Sequence, residues 1–206
     1  VPGEAELFDV DEGSEDDVGD LAALIAAAAA DGDFSDRLAG VADLPQMTRM
    51  WAFEKYAGHW DGYSAIADGP PHPSPNNYYL HSDPAGVFRM LPSGTDQTLA
   101  LRIAFDSPGG ALFAGCLGDP SCLALYREDV AALLATAREL PLQDELAAAD
   151  ALLAPWRALP SRDEHSPSSV AAAVAQTSTF LEAREADAAA WLDPAPLATP
   201  DTVIFK

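Results

Sequence analysis

The side chains of this chain that are best suited to chemistry are three carboxylate and amide groups that follow one another in a single stretch. Asp61 lies in His59-Trp60-Asp61-Gly62-Tyr63, which is predicted to form a tight loop after a helix. Asn77 starts a predicted strand, and Asp96 follows the second strand of the same hairpin. Rigid scaffolds commonly present catalytic and metal-binding groups at such positions. The alternatives are a loop-capping role for Asp61 and a strand-edge role for Asn77.

A β-hairpin is predicted to bring these groups together. Asn77 to His81 and Val87 to Leu91 have the pattern of strands, and Asp83-Pro84-Ala85-Gly86 between them favours a type I turn. Antiparallel pairing returns the chain to where it began, so Asn77 should lie near the far end of the second strand. Asp96 follows that end by five residues, which span at most about 18 Å. We therefore expect Asp61, Asn77 and Asp96 to converge on one cleft.

Helical periodicity predicts a mainly helical α+β fold around this hairpin. Proline close after an acid marks the start of the helix before the Asp61 loop, near Asp43, and that helix is predicted to end at Gly58. Four longer helices are predicted from Val18 to Ala30, from Asp119-Pro120 to Pro141, from Leu142 to Leu159, and from Ser166-Pro167 to Leu192. A short helix is also predicted to begin at about Ser35.

Two further expectations concern the second half of the chain. The helix from Leu142 to Leu159 is predicted to be kinked at Pro155 and to pack Leu146, Leu153 and Trp156 inward. The loose alternation from Thr98 to Phe105 predicts a further short strand, followed by a plain loop.

The charge of the chain excludes several classes of partner. The 206 residues hold 11 Lys and Arg against 33 Asp and Glu, and the net charge of -22 opposes binding to nucleic acid or anionic lipid. The acidity would attract divalent cations, including Ca²⁺. An EF-hand loop counted from Asp9 fails, because positions six and twelve hold Ser14 and Asp20 instead of glycine and glutamate. No apolar run reaches the roughly 20 residues that a membrane span requires.

The two cysteines, Cys116 and Cys122, are close enough in sequence to form a disulfide. Five residues that include Gly118 and Pro120 separate them, and a bridge there would stabilise the chain by about 2 kcal/mol. A disulfide favours a secreted or cell-envelope location. The alternative is a pair of buried thiols in a cytosolic protein. A zinc site is disfavoured, because two sulfurs supply only half of a zinc shell.

Several motifs in combination resemble the CotH family of spore-coat, kinase-like proteins. The resemblance covers most of the chain and implies an atypical protein-kinase-like fold with ATP-dependent phosphorylation of protein serine residues. By that resemblance Asp61 is the catalytic carboxylate, Asn77 and Asp96 are ligands for Mg²⁺, and ATP is the cofactor. The motifs are Ala57-Gly58-His59-Trp60-Asp61-Gly62-Tyr63, Asn76-Asn77-Tyr78-Tyr79-Leu80, Asp83-Pro84, Leu91-Pro92, the Cys116 to Cys122 segment with Tyr126, and Val174-Ala175-Gln176-Thr177 with Phe180-Leu181-Glu182-Ala183-Arg184.

The chain departs from the family pattern in two places. Where the family has Pro-Trp-Asp-x-Asp after the second strand, this chain has Pro92-Ser93-Gly94-Thr95-Asp96, so affinity for Mg²⁺ should fall. The only lysines are Lys55 and Lys206, whereas a kinase fold needs a phosphate-binding lysine from an N-terminal lobe. We therefore expect residues 1–193 to form the C-terminal lobe alone, followed by a Pro-rich tail at 194–206. The N-terminal lobe, or another protein chain, would be its partner on an open apolar side.

Three hypotheses follow from these observations. In the first, the chain is the catalytic lobe of a secreted CotH-like kinase that works with its N-terminal part. In the second, it is a degenerate pseudokinase that serves as a binding or structural module in a larger assembly. In the third, it is an acidic calcium-binding domain.

Overall fold

Two helices, α3 (Leu44–Ala57) and α5 (Pro120–Glu139), pack against each other at the centre of this protein. The computed structural model describes residues 8–13, 18–64, 76–157 and 165–193, and all statements below concern these residues. They form the mainly helical α+β arrangement predicted from the sequence. The other elements in chain order are α1 (Gly19–Ala29), α2 (Phe34–Leu38), β1 (Tyr78–Ser82), β2 (Phe88–Pro92), α4 (Ala111–Gly118), α6 (Leu142–Arg157) and α7 (Pro167–Leu192).

The core is built around the fully buried indole of Trp51 in α3. Its ring packs against Phe113 of α4 and Tyr63 of the following loop, and Phe113 in turn meets Tyr126 of α5 edge to face. Its Nε1 faces the sulfur of Met90 in β2 at 3.4 Å. These aromatic contacts join both central helices and the hairpin into one core, and each such pair adds about 0.5–1.5 kcal/mol beyond its buried area.

Both ends of α3 lie where the sequence predicted them. The carboxylate of Asp43 accepts a hydrogen bond from the backbone N–H of Gln46, which satisfies one free donor of the first turn. At the other end Gly58 has φ 65, a left-handed conformation that glycine adopts without penalty. A Cβ on Gly58 would lie 2.2 Å from the carbonyl oxygen of Leu101. No other residue fits there, so the sequence marks the end of α3 unambiguously.

The hairpin is confirmed, with both strands one residue later than predicted. Tyr78 is paired with Pro92 and Ser82 with Phe88, in antiparallel register. The carbonyl of Asp83 accepts from the N–H of Gly86 at 2.8 Å, which closes the predicted turn. The outer edge of β2 is bonded to the segment before α3. The N–H of Phe88 donates to the carbonyl of Val41, and the carbonyl of Phe88 accepts from the N–H of Asp43, so the hairpin is fixed to the start of α3.

The predicted strand from Thr98 to Phe105 is wrong, because these residues form an irregular segment. Their backbone groups bond to helices instead of to a neighbouring strand. The N–H of Leu99 donates to the carbonyl of Ala57, and Tyr126 donates its hydroxyl to the carbonyl of Phe105. These contacts with α3 and α5 take the place of the strand-to-strand hydrogen bonds that the alternating sequence pattern predicted.

Two helix predictions also need correction. Helix α4 (Ala111–Gly118) was not predicted, although its short apolar run buries Leu112 and Phe113. Helix α6 was predicted to pack Leu146, Leu153 and Trp156 inward, but it buries no residue, and Trp156 is 67% exposed. Because α6 packs on α7 at one edge of the molecule, its apolar residues mostly face outward.

Cys116 and Cys122 form the predicted disulfide, with Cα atoms 5.0 Å apart. The bridge joins the end of α4 to the first turn of α5, and both sulfur-bearing residues are buried. None of the described helices is long and apolar enough to cross a membrane. The predicted tail at 194–206 lies outside the described residues.

Replacing both cysteines with alanine is expected to lower the free energy of unfolding by about 2 kcal/mol, because the short closed loop no longer restricts the unfolded chain. Urea unfolding of the double variant and of the unmodified chain measures this difference. Thiol labelling of the denatured, unreduced chain should find no free thiol. Two labelled thiols per chain would contradict the disulfide and remove its support for a secreted location.

Stability should rise with pH because of Lys55, which is fully buried in α3. Its ammonium donates to the carbonyl and the hydroxyl of Ser107 at 2.7 and 2.8 Å. Burial lowers the pKa of Lys55 to about 7, although Glu54 and Asp106 favour its charged form. The unfolded chain, with a lysine pKa of about 10.4, therefore binds more protons between pH 7 and pH 10. The free energy of unfolding should rise by up to about 1.4 kcal/mol per pH unit in that window.

Urea unfolding at pH 6.5, 8 and 9.5 measures this slope. The variant Lys55→Met has no group to titrate and should lose the rise, whatever its absolute stability. An equal slope in both proteins would show that another group is responsible.

Candidate functional site

The C-terminal end of α3 fixes the loop that carries Asp61. The N–H of His59 donates to the carbonyl of Glu54 at 2.9 Å, and the N–H of Gly58 donates to the carbonyl of Lys55. This pattern turns the chain back over the last turn of the helix. The N–H of Gly62 then donates to the carbonyl of His59 at 3.1 Å. Asp61 is thus the third residue of a closed four-residue turn, and its backbone position is set by the helix end.

Glu54 ties the far side of this loop to the helix. Its side chain is fully buried, and its two carboxylate oxygens accept from the N–H groups of Tyr63 at 3.0 Å and Ser64 at 2.8 Å. Burial raises the pKa of Glu54, and the hydrogen bonds from Ser64 and Tyr63 and the nearby His59 oppose that rise. A Cβ on Gly62 would lie 2.6 Å from both Glu54 Oε1 and His59 Nδ1. Glycine is therefore required for the loop to close this tightly.

The structure brings Asp61 and Asn77 together, although 15 residues of the chain separate them. Nδ2 of Asn77 donates to Oδ2 of Asp61 at 2.5 Å. Nε2 of His59 lies 3.2 Å from the other oxygen, Oδ1, which is buried and has no hydrogen-bond partner among the described residues. The side chain of Asp61 is 10% exposed. One oxygen of this carboxylate is therefore anchored by Asn77, and the other lies beside the ring of His59.

Asn77 is held where β1 begins and β2 ends, as the antiparallel pairing predicted. Its carbonyl accepts from the N–H of Ser93 at 2.9 Å, and its φ of 50 is left-handed, which asparagine tolerates better than most residues. Gly94 lies against the amide, and a Cβ on it would be 2.7 Å from Cγ and Oδ1 of Asn77. Gly94 occupies the position of the first acid in Pro-Trp-Asp-x-Asp. A carboxylate there would require Asn77 to move.

Asp96 is exposed, and its carboxylate accepts a hydrogen bond from the side chain of Gln97 at 3.1 Å. Within 8–13, 18–64, 76–157 and 165–193, no group of three or more His, Cys, Asp or Glu side chains is arranged to hold a metal ion. The predicted role of Asp96 as a metal ligand stays a prediction, and so does its convergence with Asp61.

Two residues of the site had no functional role in the sequence analysis. Glu54 lies on the buried side of α3, and an acid among core positions is the signal that could have identified it. His59 lies in the predicted loop, but only the structure shows that its ring fits between Glu54 and Asp61.

Comparison with known proteins gives one match. Residues 4–152 match the family described as CotH kinase protein, and they include Asp61, Asn77, Asp96 and both cysteines. The chain belongs to the CotH kinase protein family. The match ends before α7, so the resemblance of that helix to the family's closing helix is not part of it. No curated protein and no solved structure matches the chain.

The oxygen atoms of this CotH site are of the kind that hard cations prefer. Mg²⁺ is usually bound through one or two carboxylate or amide oxygens, with water and substrate phosphates completing its shell. Oδ1 of Asn77 accepts no hydrogen bond among the described residues, while Nδ2 of the same amide donates to Asp61. The site thus offers one oxygen of this kind at Asn77 and no side-chain ligand at Gly94.

Proposed function

We propose that this chain is the C-terminal lobe of an atypical kinase fold, and that its site serves ATP-dependent phosphorylation of protein serine residues. The observation that carries the proposal is the contact between Asp61 and Asn77. Phosphoryl transfer needs a carboxylate that orients the attacking hydroxyl, next to an oxygen ligand for the metal that binds the phosphates. The two groups lie side by side here, as that chemistry requires.

Each group of the pair has a distinct role in this proposal. Asn77 and the predicted ligand Asp96 would hold Mg²⁺, which neutralises phosphate charge when it is bound. Asp61 orients the serine hydroxyl and accepts its proton at the carboxylate, which Asn77 anchors through Oδ2. The near-complete burial of Asp61 strengthens its interaction with the hydroxyl, since few water molecules compete for the carboxylate.

A further part of the kinase must bind the nucleotide from outside the described residues. Lys55 is buried against Ser107 and cannot serve as the phosphate-binding lysine. Next to Asn77, the hairpin exposes Tyr79 and Leu91, which face each other across the strands and are 52% and 46% exposed. An N-terminal lobe or another chain that covers this apolar pair would complete the site. The disulfide supports a secreted or cell-envelope location for the assembly.

The second candidate function is a pseudokinase that acts as a non-catalytic binding or structural module. Gly94 favours this candidate, because it stands where the family motif has an acid and because it lies against the amide of Asn77, with no room for a side chain. In that case the contact between Asp61 and Asn77 holds the loop to the hairpin and binds no metal.

Thermal unfolding with Mg²⁺ and ATP separates the two candidates. A competent site should raise the melting temperature only when both are present, by about 5–10 °C at a hundredfold excess over the dissociation constant. Asn77→Gly should abolish the shift, since glycine keeps the left-handed backbone and removes the amide. Asp144→Asn, an exposed change on α6, should leave the shift intact. No shift in the unmodified full-length protein would favour the pseudokinase.

A further inference from the structure

The geometry points to His59 as the positioning residue that holds Asp61 in its reactive orientation, through a hydrogen on Nε2. This inference rests on the proposed function only for the role of Asp61, and the placement of His59 can be tested without any activity. The ring is fully buried, so its interactions are confined to the groups that surround it.

The surroundings of Nε2 determine which ring nitrogen carries the hydrogen. Nε2 lies 3.2 Å from Oδ1 of Asp61 and 3.2 Å from the carbonyl oxygen of Gly94. A carbonyl and an ionised carboxylate can only accept hydrogen bonds. A bare Nε2 would place a lone pair against two acceptors in a buried site, so Nε2 is the donor. The Nε2–H group donates to the carbonyl of Gly94, and its positive edge also lies 3.2 Å from Oδ1 of Asp61, whose Oδ2 accepts from Asn77.

The opposite edge of the ring lies against Glu54. Nδ1 of His59 lies 3.7 Å from Oε1 of Glu54 and has no hydrogen-bond partner among the described residues. Glu54 cannot follow the ring if it turns, because Tyr63 and Ser64 hold both of its carboxylate oxygens. The missing Cβ of Gly62 lets the ring and the carboxylate lie this close. Packing against Glu54 therefore limits the rotation of the His59 ring, whose Nε2 edge faces Asp61.

The role of His59 differs from that of a simple core residue, since it depends on one nitrogen. Glutamine can place its amide N–H₂ near the position of Nε2, whereas the shorter asparagine places it near Nδ1. His59→Gln should therefore keep Asp61 in place, and His59→Asn should release it. The two variants both remove the ring and differ by one methylene, so packing loss predicts a difference in global stability and not one confined to the Asn77 amide.

Nuclear magnetic resonance of the full chain tests this inference. Long-range ¹H–¹⁵N spectra should show His59 with its hydrogen on Nε2, and Asp61→Asn should shift that Nε2 signal. Hydrogen exchange of the Asn77 side-chain amide reports on Asp61. The exchange should be faster on the order of tenfold in His59→Asn and unchanged in His59→Gln.

A neutral ring with its hydrogen on Nδ1, or equal Asn77 exchange in the two variants, would overturn the inference. If a variant fails to fold, the ring tautomer of the unmodified chain and its response to Asp61→Asn still decide. The absence of a melting shift with Mg²⁺ and ATP would count against the proposed function alone, because none of these spectra requires metal or nucleotide.

Discussion

Replacing Arg184 with alanine is expected to lower the free energy of unfolding by about 3–5 kcal/mol. Arg184 is only 2% exposed and reaches from α7 into the core. Its guanidinium donates to the backbone carbonyls of Lys55, Tyr56 and Ile103 and lies 4.1 Å from the ring centre of Phe105. Alanine would remove the donor to the carbonyls of Tyr56 and Ile103, leave the carbonyl of Lys55 with Gly58 alone, and open a cavity beside the ring. Urea unfolding at neutral pH measures the loss.

Arg138 provides the matched control for this change. It pairs with Glu185 on the surface, where both side chains are about half exposed, so Arg138→Ala should cost less than about 1 kcal/mol. Arg184→Lys should fall nearer to the alanine variant, because an ammonium cannot present the planar fork that serves several carbonyls at once. A loss below about 1.5 kcal/mol for Arg184→Ala would show that these carbonyls have other donors in solution.

Replacing Glu54 with glutamine is expected to cost about 2–4 kcal/mol, although the two side chains have nearly the same shape. Each carboxylate oxygen of Glu54 accepts a backbone N–H, from Tyr63 and from Ser64. Glutamine replaces one oxygen with an N–H₂ group, which would face a backbone donor in a buried site. The loop that carries Asp61 should loosen, and its amides should exchange with solvent faster than those of α5.

Urea unfolding with amide hydrogen exchange measures both effects. Glu182→Gln is the control, because Glu182 is exposed on α7, and its change should stay within about 0.5 kcal/mol. If Glu54→Gln is as stable as this control, the hydrogen bonds between Glu54 and the loop do not contribute to stability, contrary to this prediction.

The parts of the fold that were predicted correctly are those with strong local signals. The start of α3 at Asp43, its end at Gly58 and the hairpin turn each depend on a residue whose backbone or side chain admits few alternatives. The incorrect strand at 98–105 lacks such a signal. There Arg184 and Tyr126, distant in sequence, supply the donors that decide the backbone path.

The site shows the same division between local and distant information. Antiparallel pairing places Asn77 near the end of β2, so the position of this residue was predictable. The direct hydrogen bond to Asp61 was not, because it depends on the left-handed backbone of Asn77 and on the absence of a side chain at Gly94. The orientation of His59 likewise depends on a buried Glu54.

The most direct test of the proposed function is the location of a bound cation. Crystals of the full-length protein, grown with Mn²⁺ and a non-hydrolysable ATP analogue, would show the ion by its anomalous scattering. We expect it within about 2.1–2.3 Å of Oδ1 of Asn77, with the carboxylate of Asp61 facing the terminal phosphate. A carboxylate of Asp96 in the same shell would confirm the third predicted residue. An ion found only on surface carboxylates, with Asn77 still bonded to Asp61 and no nucleotide beside them, would contradict the kinase function.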